Sequence, residues 1–178
     1  ALDVEGYIDF MEKHGITILH ITPTQYGYLA NTKRRTAALR YLFIGAEKLT
    51  YDLVEKSYEV VSSRCRVFNM YGPTEATIIS AALEIDRQEF EKFKGLTSIP
   101  IGKPTGNLEL LILDKYNRLC PVNIVGELYI GGDGLSAGYL NNPELTGEKF
   151  IFYRSNRSYR SYRTGDLARW VLGGYIEF

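Results

Sequence analysis

The sequence predicts an α/β fold: a parallel-rich α/β layer followed by a small β-barrel-like subdomain. Three observations carry this. Up to residue 83, short β-branched runs alternate with stretches of helical periodicity. From Ile99 onward, strands separated by Gly, Asn and Pro turns replace the helices. Between them, the chain-breaking pair Gly72-Pro73 stands just after a strand-like run, where open α/β sheets collect their ligands. The expected division is 1–98 for the α/β part and 99–178 for the β-rich part.

The elements follow in order. Val4, Tyr7, Ile8 and Met11 are spaced for a helix over 3–14, with Gly15 as its stop. Ile16 to Ile21 is a β-branched run, read as a buried strand that Pro23 ends. A short helix is expected over 24–32 and a strand over 37–44, halted by Gly45-Ala46-Glu47. Thr50 caps a helix to about Ser62, with Leu53, Val54, Tyr58 and Val61 on one face. A strand over 65–68 enters a turn at 69–75, and a second strand over 76–83 leaves it. Residues 84–97 are charged and read as a solvated helix or loop. Strands follow at 109–114 and 126–132, with a tight bend at Gly131-Gly132-Asp133-Gly134. Asn141 to Thr146 begins a short helix, with Pro143 in its first turn. Arg154 to Arg160 reads as an exposed loop, Tyr162 to Asp166 as a turn, and Tyr175 to Phe178 as a last strand. In the first part three strands end in polar or glycine turns, at His20, at Gly45 and at 69–75. If those strands are neighbours, the three turns share one sheet edge.

Bulk properties narrow the function. Acidic and basic side chains number 21 each in 178 residues. A neutral chain is a poor partner for nucleic acid or an anionic membrane. No apolar run approaches a membrane span, and two isolated cysteines, Cys65 and Cys120, offer no metal cage. Reduced thiols and the lack of a secretory pattern lead to an expected cytoplasmic location. Tyrosine is frequent, and five of the 14 lie between Tyr139 and Tyr175.

Three blocks hold the chemistry. Asn69-Met70-Tyr71-Gly72-Pro73-Thr74-Glu75 packs a ring, a hydroxyl and a carboxylate into one turn. Gly126 to Gly132 with Gly138 to Thr146 forms the second block, and Tyr162-Arg163-Thr164-Gly165-Asp166 the third. A Mg-nucleotide needs a flat surface, acceptors for ribose hydroxyls, donors for phosphate and a carboxylate for the metal. In residues, order and spacing the blocks resemble the adenylate-forming enzymes, and more narrowly the adenylation domains of nonribosomal peptide synthetases. The resemblance spans essentially the whole chain and implies a partial adenylate-forming enzyme fold.

That resemblance implies roles. Tyr71 would stack on adenine with Asn69 near the base edge, and Gly72 belongs to the same nucleotide-contacting turn. Thr74 would contact the α-phosphate and Glu75 would hold Mg²⁺; these two are the expected catalytic residues. Asp166 would accept from the ribose hydroxyls. Gly45-Ala46-Glu47 stands where the family usually has Gly-Gly-Glu lining adenine and substrate, and Phe178 where a Tyr or Phe packs near the nucleotide. His20, Phe43, Gly45, Met70, Ile78 and Ile79 would line the acyl pocket, a mixture that fits a medium-sized side chain with one polar group. The implied activity is ATP-dependent formation of aminoacyl-AMP, followed by transfer to the phosphopantetheine thiol of a peptidyl carrier protein domain among neighbouring synthetase domains.

The chain also departs from the pattern. Leu135-Ser136-Ala137-Gly138 stands where Leu-Ala-Arg-Gly is usual, so an Arg is missing. No phosphate loop with a Lys, no upstream pocket Asp and no C-terminal lysine is present. The expectation is therefore a fragment of the large N-terminal core, inactive alone, with apolar sheet surface left uncovered. Alternatives are an acyl- or aryl-CoA synthetase, a D-alanine–carrier protein ligase, or a non-catalytic nucleotide-binding module. Lys103 has the wrong glycine pattern for a phosphate lysine. Trp170 and Tyr175 read as core, and Arg169 and Glu127 as structural.

Overall fold

A computed structural model describes residues 3–153, 159–171 and 173–178. The chain resolves into two compact units: Ala1–Met70 with Leu83–Ile99, and Tyr71–Ala82 with Pro100–Phe178. The segment 71–82 therefore packs with the second unit rather than with the residues that precede it.

The first unit is a sheet, parallel over its first three strands, with helices. Strands β1 (Ile18–Ile21), β2 (Tyr41–Gly45), β3 (Arg66–Tyr71) and β4 (Ala81–Ile85) lie in that order. α1 (Val4–Lys13) precedes β1, α2 (Pro23–Asn31) joins β1 to β2, and α3 (Tyr51–Val60) joins β2 to β3. Each helix starts at a side-chain cap: Asp3 accepts from the Gly6 amide, Thr22 from Gln25 and Thr50 from Leu53. Pro23, expected to end a strand, instead opens α2 at its first turn, where its missing N–H costs nothing.

Parallel registers place His20 beside Phe43, Phe43 beside Phe68, and Gly45 beside Met70. Since side chains alternate between faces, these residues share one side of the sheet. Leu42, Ile44 and Val67 on the other side are fully buried. The expectation that β1 is buried needs correction: it is an edge strand, with Ile18 58% exposed. Residues 84–97 are also less solvated than expected. A 3-10 turn at Phe90–Phe93 buries both phenylalanines, and Phe90 packs against Tyr51 and Tyr58 at 5.1 and 5.2 Å. Burial pushes the Cys65 thiol up to about 11, so it stays protonated and inert near neutral pH.

The second unit is built on antiparallel strands. β5 (Lys103–Pro104) pairs with Ala81–Ala82. β6 (Leu108–Leu113), β7 (Gly126–Gly132), β9 (Tyr159–Val171) and β10 (Tyr175–Glu177) form a sheet in the order β10-β9-β7-β6, with β8 (Phe150–Tyr153) also on β9. The short helix α4 (Pro143–Lys149) is capped by Asn142. Ile101, Ile112, Leu128, Ile130 and Ile176 form its fully buried centre. The loop expected at 154–160 is partly outside the described residues, at 154–158; Tyr159 and Arg160 belong to β9. Arg169 bonds to the buried Glu177, and Arg163 Nε donates to both Glu127 oxygens at 2.9 Å. No described helix is long and apolar enough to cross a membrane.

Deleting buried methylenes leaves a cavity, whereas trimming an exposed side chain does not. Ile44→Ala should therefore cost about 2–5 kcal/mol and Ile18→Ala within roughly 0.5 kcal/mol. Urea unfolding of the two variants checks this; equal losses would mean that β1 is not an edge.

Candidate functional site

In the second unit the chain reverses sharply after Tyr71. The Ser80 amide donates back to the Tyr71 carbonyl at 2.7 Å, closing the loop. A side chain at position 72 would collide with the Ile78 carbonyl and meet the Ser80 nitrogen at 2.6 Å, so only glycine fits. Inside the loop, Thr74–Ala76 form a 3-10 turn. Thr77 and Ile78 then take left-handed backbone angles, φ 59° and 68°. This corrects the strand expected at 76–83: β4 starts only at Ala81, because the amides of Ile78 and Ile79 turn inward to the carbonyls of Pro73 and Thr77. Such angles are costly for β-branched residues and cluster where function requires a fixed backbone. A second correction concerns 69–71, which continue β3 rather than sitting in the turn.

The turn presents Glu75. Its carboxylate accepts from the Tyr139 hydroxyl at 2.6 Å, and its carbonyl accepts from the Ser136 amide at 2.8 Å. Thr77 Oγ1 adds a bond to the Gly134 carbonyl at 2.6 Å. The turn is thereby tied to the segment 134–139 by three bonds. Burial alone would raise the Glu75 carboxyl, but the Tyr139 hydroxyl, its own amide, Tyr162 and Lys149 outweigh it and hold the group below the ordinary glutamate value. Burial and the neighbouring Glu75 push Tyr139 upward, so it keeps the proton it donates.

The third block also differs from the turn expected for it. Residues 162–166 lie within β9, where Glu127 pairs with Leu167 and Tyr129 with Arg163. Thr164, Gly165 and Asp166 thus stand opposite Leu128 alone, a bulge with Gly165 at φ 84°. Thr164 Oγ1 donates to the Leu128 carbonyl at 2.7 Å and accepts the Asp166 amide at 3.0 Å. The bulge aims Asp166 at Tyr71, whose hydroxyl donates to Oδ2 at 2.6 Å. Phe178 packs 5.0 Å from the Tyr71 ring.

The remaining expected residues are placed as follows. Thr74, Ile78 and Ile79 are exposed on the turn. Asn69 is buried on the sheet face opposite Met70 and donates to the Ile99 carbonyl at 3.0 Å. In the first unit, His20 borders a cavity of about 170 Å³ with Tyr7, Ile21, Gln25 and Leu29. Phe43 packs on Phe68 at 5.0 Å. Gly45 lies where a side chain would meet the Met70 carbonyl at 2.7 Å. Ala46 adopts φ 72°, the angle a second glycine would favour. Glu47 accepts from the Thr24 hydroxyl and amide, which hold its carboxyl low.

Tyr139, Tyr162, Thr164 and Phe68 carry contacts that the sequence did not assign. Tyr139 and Tyr162 stand inside the second and third blocks, but spacing alone does not say which hydroxyl meets which carboxylate. Among the described residues no group of three or more His, Cys, Asp or Glu converges. A single carboxylate fits Mg²⁺, a cation that takes most of its ligands from phosphates and water.

The family model described as "AMP-binding enzyme" matches residues 1–140. The chain belongs to this family. It is 41% identical over 185 aligned residues to a subunit of the mycosubtilin synthase of Bacillus subtilis, covering 98% of this chain and 7% of the relative. Identity is 39% over 181 residues to gramicidin S synthase 2 of Brevibacillus brevis, covering 99% of this chain and 4% of that protein. It thus spans well under a tenth of those relatives. Among solved structures it resembles PA1221, a nonribosomal peptide synthetase protein containing adenylation and carrier domains (TM-score 0.88, 27% identity, 99% of this chain and 30% of that one). It also resembles the AMPPNP-bound form of the synthetase FmoA3 (TM-score 0.90, 28% identity, 99% and 19%). The α/β fold with a β-rich second part is the fold of this AMP-binding family.

Two expectations test the geometry. Gly72→Ala should lose about 1–3 kcal/mol through overpacking, while Ala46→Gly should gain up to about 1 kcal/mol by relieving a left-handed angle; thermal unfolding reads both, and a neutral Gly72→Ala would refute the tight turn. A carboxyl depressed on folding stabilises above its unfolded value and loses that stabilisation as pH falls through its folded value. The wild type should therefore exceed Glu75→Gln in stability above about pH 4.3, with the gap closing below it. Tyr139→Phe should raise the Glu75 midpoint in an NMR titration.

Proposed function

We propose that the chain supplies part of the nucleotide and substrate site of an enzyme that activates an amino acid with ATP and loads it on a carrier protein for nonribosomal peptide synthesis. The observation that supports this most strongly is the bond from Tyr71 of the first block to Asp166 of the third, in the unit that also holds Glu75, in a chain whose residues 1–140 match the AMP-binding family. The names of the two solved structures, both nonribosomal peptide synthetases, support the amino-acid side of the reading over a CoA ligase or a non-catalytic module.

The reaction would run as follows. A carboxylate oxygen of the amino acid attacks the α-phosphorus of ATP, the bond to the bridging oxygen breaks, and pyrophosphate leaves, giving aminoacyl-AMP. A thiolate from the phosphopantetheine arm of a carrier domain then displaces AMP. Thr74, exposed on the turn, would donate to an α-phosphate oxygen, and Glu75, held by Tyr139, would orient the magnesium-bound phosphates. Bound Mg²⁺ would supply charge neutralisation for the phosphates. Asp166 would accept from the ribose, and Tyr71 and Phe178 would border the base. Such a reaction rests on positioning and electrostatic stabilisation rather than proton transfer. In the first unit, His20, Phe43, Gly45 and Met70 share one sheet face and would meet the amino acid, with His20 as the polar contact.

The test is amino-acid-dependent exchange of labelled pyrophosphate into ATP by the full-length polypeptide that carries this sequence. Exchange with one proteinogenic or modified amino acid is expected, and Glu75→Ala should lower it by at least about a hundredfold, the loss of one preorganised charge contact. The 178 residues alone should show little exchange. Exchange independent of Glu75 would remove its metal role.

A further inference from the structure

We infer that Tyr71 acts through its hydroxyl as a positioning residue for Asp166, setting the carboxylate that recognises the ribose of the nucleotide. This rests on the nucleotide reading above but goes beyond it, since the ring of Tyr71 would serve the base whether or not it carried a hydroxyl.

Asp166 is held both at its backbone and at its side chain. Its backbone is fixed by the bulge, through the amide bond to Thr164 and the Thr164 bond to the Leu128 carbonyl. That leaves rotation about the side-chain bonds. An aspartate carboxyl turns broadly about its last torsion, so a fixed backbone does not fix its oxygens. The Tyr71 hydroxyl supplies the missing constraint by donating to Oδ2 at 2.6 Å.

Tyr71 is itself immobile. It is 8% exposed, packed in the core of its unit and flanked by Phe178. Burial and the adjacent carboxylate both favour its protonated form, so it remains a donor. Among the described residues, Oδ1 of Asp166 takes no hydrogen bond, and the side chain is only half-buried. One oxygen is thus occupied by the protein and the other is presented. A ribose offers two neighbouring hydroxyl donors, and a carboxylate oriented in advance accepts them without paying to stop its own rotation. A charged acceptor makes the stronger kind of hydrogen bond, so orientation matters most for the hydroxyl-bearing ligand.

The separating experiment compares ATP with 2′-deoxy-ATP and 3′-deoxy-ATP. Calorimetry on the full-length polypeptide would give dissociation constants for the wild type, Tyr71→Phe, Asp166→Ala and the double variant, with near-ultraviolet circular dichroism to confirm folding. Tyr71→Phe keeps the ring and removes only the donor. It should lower the preference for ATP over the deoxy nucleotides about three- to tenfold, the size of one ordinary hydrogen bond, while weakening the deoxy nucleotides, which keep a single ribose hydroxyl, by a smaller factor. Asp166→Ala should abolish the preference, and the double variant should match it. If Tyr71→Phe weakens all three nucleotides equally, Tyr71 is a structural residue and the inference is wrong. If Asp166→Ala keeps the wild-type preference, the ribose reading itself falls, and the inference with it.

Discussion

The second unit depends on the reversal between Tyr71 and Ala81. Its closure, an amide-to-carbonyl bond from Ser80 to Tyr71, brings the backbone so close to position 72 that a single added carbon would collide. The cost appears just past the 3-10 turn, where Thr77 and Ile78 are forced into left-handed angles that β-branched side chains resist. A loop that tolerates this must be stabilised from outside, and it is. The Ser136 amide, the Gly134 carbonyl and the Tyr139 hydroxyl all bond to it. The strain and the bonds together keep the Glu75 carboxylate in one place.

Tyrosine hydroxyls do the same work twice. Tyr139 holds Glu75 and Tyr71 holds Asp166, each at 2.6 Å. A phenol suits the task because it stays protonated near neutral pH, buries a large apolar body, and carries its donor at the tip. An arginine in the same place would neutralise the carboxylate and compete with any cation or hydroxyl ligand. A neutral donor orients the charge and leaves it in force.

Much of the fold was legible because it follows from period and punctuation. Helical spacing at Val4 to Met11, the Thr50 cap and the strand expected at 126–132 produced the expected elements, and the strand expected over 37–44 forms at Tyr41–Gly45. The chain reversal just after Tyr71 was legible from Gly72-Pro73. What escaped was set by contacts distant in sequence. Residues 76–80 look like a strand, yet amides that could pair with a neighbour turn inward instead. Thr164-Gly165-Asp166 has the composition of a turn, and only pairing with β7 reveals it as a bulge inside a long strand. Phe90 and Phe93 sit among charges, and only the rings of α3 explain their burial. The tyrosine–carboxylate pairs link positions 64 and 95 residues apart, a separation that no local pattern encodes.

The loop at 135–138 is supported from a strand distant in sequence. Position 137 is an alanine, where the resemblance led us to expect an arginine. Arg160 arrives instead from β9 and donates to the carbonyls of Ser136 and Ala137, its guanidinium 4.3 Å over the Phe150 ring. A planar cation with several donors can bridge two carbonyls and stack at once, which an ammonium cannot. Phe150 in turn packs edge-on against Tyr139 at 5.8 Å. The support for Glu75 therefore runs from Arg160 to the loop backbone and to Phe150, from there to Tyr139, and on to the carboxylate. The loop is thus held by a cation from β9, and the Glu75–Tyr139 contact stands beside it.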